Sequence, residues 1–166
     1  MTGPGVSIRV GNGFDIHAFG DEAGRPLVLG GVSFEGERPL RGHSDADVVA
    51  HCVAEALLGA AGLGDLGSHF PDTDERFAGA NSMELLAEVV RLVTAQGWSV
   101  ANVDCSVVAE RPKLAPRREE MQSRLSAVVG APVTVKGRRA EGIGGLGRGE
   151  GVACFATALL VGEAGS

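Results

Sequence analysis

The chain has 166 residues, a length typical of one domain, and 44% of them are apolar, which is enough for a buried core. Its net charge of −6 argues against a nucleic-acid-binding surface. Its apolar runs are all shorter than the roughly 20 residues that a membrane helix needs. We therefore expect neither a nucleic acid nor a membrane as a partner.

Hydrophobic periodicity and the placement of glycine and proline predict strands and helices that interleave along the chain. In the first half of the chain we expect a disordered lead over 1–7, a strand over 8–14, a strand or hairpin arm over 26–34 and a helix from Asp45 or Asp47 to about Ala61. A glycine- and aspartate-rich loop over 62–74 and a helix from Ser82 that ends at Gly97 should follow. In the remainder we expect a β-rich run over 98–109, a helix from Pro116 to Gly130, a strand over 132–136 and a final strand over 152–161. This order predicts one α+β domain over 8–162, a two-layer α/β sandwich with a mixed β-sheet, followed by a tail over 163–166.

The three cysteines are Cys52, Cys105 and Cys154, an odd number, widely spaced and set among apolar residues. We interpret them as buried free thiols. Free thiols fit a reducing compartment, and residues 1–5 lack the charged and apolar pattern of a secretory signal. We therefore expect a cytoplasmic protein.

Two short segments carry the residue types of a metal site. Asp15 and His17 share a face of the predicted strand, because side chains two apart in a strand point the same way. His51 shares a face of the predicted helix with Asp47, four residues before it. If strand and helix pack together, Asp15, His17 and His51 can form a zinc site with one open position. The alternative is a capping aspartate, a surface histidine and a core histidine.

The start of the predicted helix offers two further roles. Asp47 either orients a ligand histidine or caps the helix, and we favour the cap. His43 and Ser44 precede the helix, where backbone N–H groups and the helix dipole favour a phosphate. A zinc ion nearby would reinforce that preference through its charge.

Two other motifs do not support the functions that they suggest. The run 142–147 has the glycine spacing of a dinucleotide-binding fingerprint, but an apolar strand follows it where that motif requires a helix. Asp72 and Asp74 resemble the start of a calcium loop, but Phe77 and Met83 stand where glycine and glutamate are required. We reject both functions.

Taken together, the motifs resemble the 2-C-methyl-D-erythritol 2,4-cyclodiphosphate synthase family of the non-mevalonate isoprenoid pathway. The matching segments follow the family order and cover about residues 8–162. They are RVGNGFDIH at 9–17, GHSDAD at 42–47 with His51, ALLGAAGLGDLG at 56–67, FPDTD at 70–74, PKL at 112–114 and GRGEG at 147–151. The resemblance implies a homotrimer with active sites between subunits. It also implies a cytidine diphosphate substrate, 4-diphosphocytidyl-2-C-methyl-D-erythritol 2-phosphate, whose 2-phosphate attacks the β-phosphorus and expels CMP. The substrate supplies the nucleophile, so catalysis depends on positioning and charge neutralisation.

The resemblance also implies roles for individual residues. Asp15, His17 and His51 would hold one zinc ion per subunit, and Glu141 would hold a second divalent ion, Mg²⁺ or Mn²⁺, that arrives with the substrate. His43 would stabilise the transition state. The implied substrate-binding residues are Asp15, Ile16, His17, His43, Ser44, Asp65, Leu66, Gly67, Phe70, Pro71, Asp72, Thr73, Asp74, Ala109, Lys113, Leu114, Ala115, Arg138, Arg139, Ala140, Glu141, Gly145 and Arg148. Of these, 70–74 would cover the methylerythritol, and 109–115 would line the cytosine pocket from a neighbouring subunit.

The chain departs from the family over 137–145. Arg138 and Arg139 stand where the family has two threonines, and Gly145 replaces a phenylalanine. Arg139 either replaces the phosphate-contacting, catalytic threonine as a stronger donor or lies on a solvated loop. Gly145 cannot supply an aromatic wall to the cavity on the threefold axis, whereas Arg148 remains and is expected to pair with Glu150.

Three functional hypotheses follow. The first is an active synthase, a phosphorus–oxygen lyase, which the complete ligand set and Glu141 favour. The second is a non-catalytic trimer that binds zinc and cytidine nucleotides and has diverged at Arg138 and Arg139. The third is a zinc phosphohydrolase that acts on simple phosphate esters. Glu55 stands where the family carries aspartate, and the sequence assigns it no role.

Overall fold

The computed structural model describes residues 5–21 and 24–163 and contains the alternation of strands and helices that the sequence predicts. The elements are β1 (Val6–Ala18), β2 (Leu27–Leu29), β3 (Val32–Phe34), α1 (Val48–Ala61), α2 (Leu66–His69), α3 (Ser82–Ala95), β4 (Ser99–Val108), α4 (Arg118–Val129), β5 (Val133–Arg138), α5 (Gly144–Gly147) and β6 (Gly151–Glu163). Single 3₁₀ turns lie at Glu75–Phe77 and Ala115–Arg117.

Four strands form one mixed sheet in the order β1-β6-β4-β5. β6 pairs antiparallel with both β1 and β4, whereas β4 and β5 are parallel. The pairing of β1 with β6 extends from Val6 opposite Glu163 to Ala18 opposite Gly151. The α+β class and the mixed sheet are therefore confirmed.

The helices cover one face of this sheet. α1 packs on β1 and β6, α4 packs on β5, and α3 packs on α1 and α4. The core between the layers is built from aliphatic side chains such as Val53, Leu57 and Leu160. It also contains Cys52, Cys105 and Cys154 as buried free thiols, as the sequence predicts. In the described parts of the chain, no helix is both long and apolar enough to cross a membrane.

The backbone of α1 lies unusually close to β1 because two residues of that strand are glycines. A Cβ atom on Gly11 would lie 2.1 Å from the carbonyl oxygen of Ala56, and one on Gly13 would lie 2.1 Å from that of Cys52. No side chain fits in that space, so Gly11 and Gly13 set the distance between helix and strand. This contact brings the first turn of α1 beside Asp15, two residues after Gly13.

The opposite face of the sheet exposes large apolar side chains. These side chains are 50–71% exposed. Those from β1 belong to even-numbered residues, which share one face of the strand, and are Val6, Ile8, Val10, Phe14 and Ile16; β6 adds Phe155. The rings of Phe14 and Phe155 lie 4.8 Å apart between centroids. A continuous apolar face of this kind on a folded domain marks an interaction surface.

Asp47 is the N-cap of α1, which confirms the interpretation that we favoured. Its side chain accepts hydrogen bonds from the N–H groups of Val49 and Ala50. It also accepts from Gly30 at 2.8 Å and Gly31 at 2.7 Å, in the turn between β2 and β3. Burial raises the pKa of Asp47 above its usual range, although the hydrogen bonds from Gly31, Ala50 and Gly30 oppose that rise.

Several predicted boundaries differ from the structure. The disordered lead over 1–7 is wrong at Val6 and Ser7, which pair with β6, while residues 1–4 and 164–166 lie outside the described residues. The predicted strand over 26–34 is a hairpin, because Gly30 and Gly31 both adopt positive φ and reverse the chain. The predicted loop over 62–74 contains α2. Pro116 lies in a 3₁₀ turn that precedes α4.

We expect Gly13→Ala to lower the free energy of unfolding by about 1–3 kcal/mol, since the added methyl group overpacks the β1–α1 contact. The matched control is Gly59→Ala in α1, where the nearest atom to an added Cβ is 3.8 Å away. The control should leave stability unchanged or raise it by about 0.5–1 kcal/mol, because alanine favours helix more than glycine does. Urea unfolding measures both, and equal stabilities would contradict the proposed packing constraint.

Candidate active site

β1 and α1 bring three potential metal ligands together. Asp15 Oδ2 lies 3.1 Å from His17 Nε2 and 3.1 Å from His51 Nδ1. All three ligand atoms lie within 4.8 Å of one another, so the group could hold a metal ion. The side chains are between 12% and 23% exposed, which leaves one side of the group open. The predicted convergence of Asp15, His17 and His51 is confirmed.

Each histidine of the group is hydrogen-bonded through its other ring nitrogen. His17 Nδ1 lies 2.6 Å from the carbonyl oxygen of Arg41 and can only donate to it. When the imidazole is neutral, the lone pair of His17 is therefore on Nε2, the atom that faces Asp15. His51 Nε2 lies 2.7 Å from Ser82 Oγ and 3.1 Å from Ser44 Oγ. Such partners orient the histidines of metal sites.

The carboxylate and the two imidazoles also affect one another's proton affinity. Burial raises the pKa of Asp15, but the hydrogen bonds and charges of His17 and His51 outweigh it and hold the pKa well below its usual range. Burial lowers the pKa of His17, but the hydrogen bond and charge of Asp15 and the Arg41 carbonyl raise it overall. The pair therefore favours an ionised Asp15, which is the form that binds a cation, and a protonated His17, which must release its Nε2 proton to become a ligand.

His43 and Ser44 lie beside this group, before the start of α1. Asp47 occupies the N–H groups of Val49 and Ala50, so these two amides are not available to a phosphate. The expected contact of His43 and Ser44 with a phosphate stays a prediction. The exposed His43 imidazole remains, with Nε2 3.0 Å from the carbonyl oxygen of Asp74.

A cavity of about 270 Å³ connects these residues to the predicted substrate loop. Its lining residues are His17, Gly42, His43, Ser44, His51, Leu66, Phe70, Asp72, Phe77 and Leu85. Phe70 and Phe77 pack edge to face with ring centroids 5.3 Å apart. Asp65 caps α2 by accepting from Ser68, and Asp74 caps the following 3₁₀ turn. The loop is therefore preorganised by its own caps and ring contact.

The predicted cytosine-pocket residues form a separate cavity of about 410 Å³ at the carboxyl ends of β4 and β5. Its lining includes Ala109, Lys113, Leu114, Ala115, Arg138 and Arg139. Within one chain it shares no lining residue with the cavity beside the metal group. Of the remaining predicted residues, Glu141 adopts a positive φ of 53°. Arg148 binds Glu150 at 2.7 Å, as expected.

Arg139 is 70% exposed and pairs with Glu110. Its Nε and Nη2 atoms lie 3.0 and 2.8 Å from Glu110 Oε2, and the N–H of Ala140 donates to Oε1 at 2.9 Å. The hydrogen bonds and charge of Arg139 lower the pKa of Glu110. The guanidinium is thus held at the rim of the 109–115 pocket, with N–H groups left for another acceptor.

The sequence interpretation missed several residues that shape the site. Glu55 Oε1 accepts from the N–H of Leu66 at 2.8 Å and so fixes the start of α2. Arg25 donates to the carbonyls of Gly42, at 3.0 Å, and Ser44, on either side of His43. The sequence predicts Asp45 only as a possible helix start, and Glu110 only as part of the 109–115 pocket, without a role of its own. Each acts through a contact distant in sequence, which no local motif signals.

Comparison with known proteins identifies the class of protein that carries this fold and site. The sequence model of the YgbB family matches residues 8–161, and the chain belongs to that family.

Its relatives include the 2-C-methyl-D-erythritol 2,4-cyclodiphosphate synthase of Rubrobacter xylanophilus, 56% identical over 156 residues that make up 92% of this chain and 94% of that enzyme. The bifunctional enzyme IspD/IspF of Anaeromyxobacter dehalogenans is 54% identical over 161 residues. That match includes 95% of this chain, which spans only 41% of the length of the bifunctional protein. Among solved structures, the CDP complex of IspF from Plasmodium falciparum matches with a TM-score of 0.81 and 32% identity, over 93% of this chain and 96% of that chain. The sequence-based assignment to the synthase family is therefore confirmed.

Proposed function

We propose that the chain converts 4-diphosphocytidyl-2-C-methyl-D-erythritol 2-phosphate to 2-C-methyl-D-erythritol 2,4-cyclodiphosphate and CMP, as a phosphorus–oxygen lyase of the non-mevalonate isoprenoid pathway. The observation that carries the proposal is the Asp15, His17 and His51 group, whose two histidines line a cavity together with His43 and Phe70. The names of the relatives support the same reaction.

The residues present fit a zinc ion. One carboxylate and two imidazoles with an open side are the ligand set of catalytic zinc sites, and the Arg41 carbonyl fixes the tautomer of His17. When bound, zinc would stabilise negative charge on a phosphate oxygen. Glu141 is the proposed ligand of Mg²⁺ or Mn²⁺ carried with the diphosphate.

The protein's own groups hold the substrate so that it reacts with itself. An oxygen of the 2-phosphate forms a bond to the β-phosphorus, and the bond from that phosphorus to the oxygen of CMP breaks, so CMP leaves with the electron pair. His43, whose Nε2 donates to the Asp74 carbonyl, would donate from Nδ1 to the developing charge when both of its ring nitrogens carry protons. The loop over 70–74 would cover the methylerythritol and exclude water.

The complete site would need a second subunit. The 109–115 pocket, which would take the cytosine, lies apart from the metal group of the same chain. The exposed apolar face that includes Val10, Phe14 and Phe155 is available for assembly. A homotrimer that buries this face, with each cytosine pocket beside a neighbour's metal group, accounts for both observations. The intact metal group does not favour the non-catalytic alternative.

The reaction itself provides the first test. Purified protein supplied with Zn²⁺ and Mg²⁺ should convert the cytidine diphosphate substrate to equal amounts of CMP and cyclic diphosphate, measured by chromatography and ³¹P NMR. Asp15→Asn should lower turnover at least about a hundredfold, since stabilisation by a metal ion is worth several kcal/mol. A zinc-loaded protein that releases no CMP would contradict the proposal. Release of phosphate from simple esters would favour a phosphohydrolase.

A second test concerns Arg139. If its free N–H groups contact phosphate in place of the family's threonine, Arg139→Ala should lower turnover roughly tenfold to a hundredfold, as for the loss of one preorganised donor. Arg91→Ala is the matched control, because it also removes an exposed arginine paired with a glutamate, on α3. The control should leave turnover unchanged. Equal turnover of the two variants would assign Arg139 to the solvated loop.

A third test concerns assembly. Phe155→Glu places a carboxylate in the exposed apolar face and should convert trimers to monomers, because burying an unpaired charge costs several kcal/mol. Phe155→Leu keeps the face apolar and should remain trimeric. Light scattering after size-exclusion chromatography measures both, and turnover should fall together with the trimer. A Phe155→Glu variant that stays trimeric would place the subunit interface elsewhere.

A further inference from the structure

A chain of hydrogen bonds leads away from the metal group through His51. The Nε2 atom of His51 lies 2.7 Å from Ser82 Oγ, at the start of α3. The same hydroxyl donates to Asp45 Oδ1, in the segment before α1. This Asp45–Ser82–His51 chain therefore ends at His51 Nδ1, which lies 3.1 Å from Asp15 Oδ2. Neither Asp45 nor Ser82 is among the site residues that the sequence predicts.

The direction of these hydrogen bonds follows from the groups that make them. A carboxylate can only accept, so Ser82 must donate its one proton to Asp45. The Ser82 oxygen then accepts from His51, which requires a proton on Nε2. A neutral imidazole protonated at Nε2 carries its lone pair on Nδ1. Nδ1 is the atom that faces Asp15 and His17, so the chain selects the tautomer that can bind a metal.

Backbone contacts hold both partners in place. Ser82 is 1% exposed, and its N–H donates to Asp45 Oδ2 at 3.0 Å. Asp45 Oδ1 also accepts from the N–H of Asp47 at 3.2 Å, and the N–H of Asp45 donates to the carbonyl of Ala80 at 3.0 Å. With the carboxylate fixed on two sides, the Ser82 hydroxyl has one favourable direction.

Ser44 makes a weaker contact with the same imidazole nitrogen. Its Oγ lies 3.1 Å from His51 Nε2 and 3.3 Å from Ser82 Oγ, and it accepts from the N–H of Ala46 at 3.2 Å. The shorter contact to His51 and the direct bond to a carboxylate distinguish Ser82 as the main partner.

We propose that Ser82 and Asp45 are positioning residues of the metal centre, which hold His51 as the tautomer that presents the Nδ1 lone pair to the ion. The inference rests on the metal site of the proposed function. Partners of this kind fix the ring and raise the basicity of the ligand atom, and their loss typically costs 10–100-fold in metal affinity.

The first experiment titrates the metal-free protein with Zn²⁺ in competition with a chelator. Ser82→Ala should lower the Zn²⁺ affinity by about 10–100-fold. Ser126→Ala is the matched control, because Ser126 is also a serine of a helix, α4, whose hydroxyl takes part in a hydrogen bond, here from the N–H of Val133. The control should leave the Zn²⁺ affinity unchanged. The thermal unfolding temperatures of the metal-free variants show whether each variant is folded.

The second experiment measures the imidazole ¹⁵N shifts of His51 in the metal-free protein. The wild type should carry its proton on Nε2. Asp45→Asn should move that proton toward Nδ1, because an amide NH₂ can donate to Ser82 and direct its hydroxyl proton at Nε2. A purely structural role of Asp45 would not change the tautomer.

The outcomes separate this inference from the function on which it rests. A wild-type protein that binds no Zn²⁺ would contradict the proposed metal site. A wild type that binds Zn²⁺ while Ser82→Ala binds within about threefold would overturn only the positioning role, given the larger loss expected. A neutral His51 that carries its proton on Nδ1 rather than Nε2 in the wild type would overturn it, whether or not any variant folds.

Discussion

The contact between β1 and α1 is the constraint on which the site depends. Gly11 and Gly13 allow carbonyl groups of α1 into space that any Cβ would fill. Asp15 follows Gly13 by two residues on the same face of the strand, and His51 precedes Cys52, whose carbonyl contacts Gly13. The metal group therefore forms where the two backbones meet, and its geometry is set by the main chain rather than by mobile side chains.

The two aspartates before α1 have different tasks because they face different donors. Asp47 points inward and satisfies amides of α1 and of the β2–β3 turn, so it sets where the helix begins. Asp45 points toward the start of α3 and accepts from Ser82. Together they join three segments that surround the first turn of α1. His51 is thus oriented by hydrogen bonds from outside its own helix.

β1 carries the metal group on one face and the exposed apolar side chains on the other, through the two-residue period of a strand. Its odd-numbered residues face α1 and include Asp15 and His17, whereas even-numbered residues such as Val10 and Phe14 form the exposed apolar face. A substitution that shifts the register of β1 would therefore damage both the metal group and the assembly surface. The separation of the 109–115 pocket from the metal group fits the same arrangement, since assembly would bring together what one chain keeps apart.

The sequence by itself determined the elements with strong periodicity and the residues whose chemistry is local. The helix ending at Ala61, the final apolar strand and the Asp15–His17 pair were predictable, because period, caps and ligand spacing are properties of neighbouring residues. The tertiary structure alone decided that β1 begins at Val6, that Glu55 holds α2, that Glu110 holds Arg139, and that Ser82 meets His51 and Asp45. The last three sets of contacts join residues 11 to 37 positions apart. They arise only when packing brings separate elements together, and no local pattern of residues signals them.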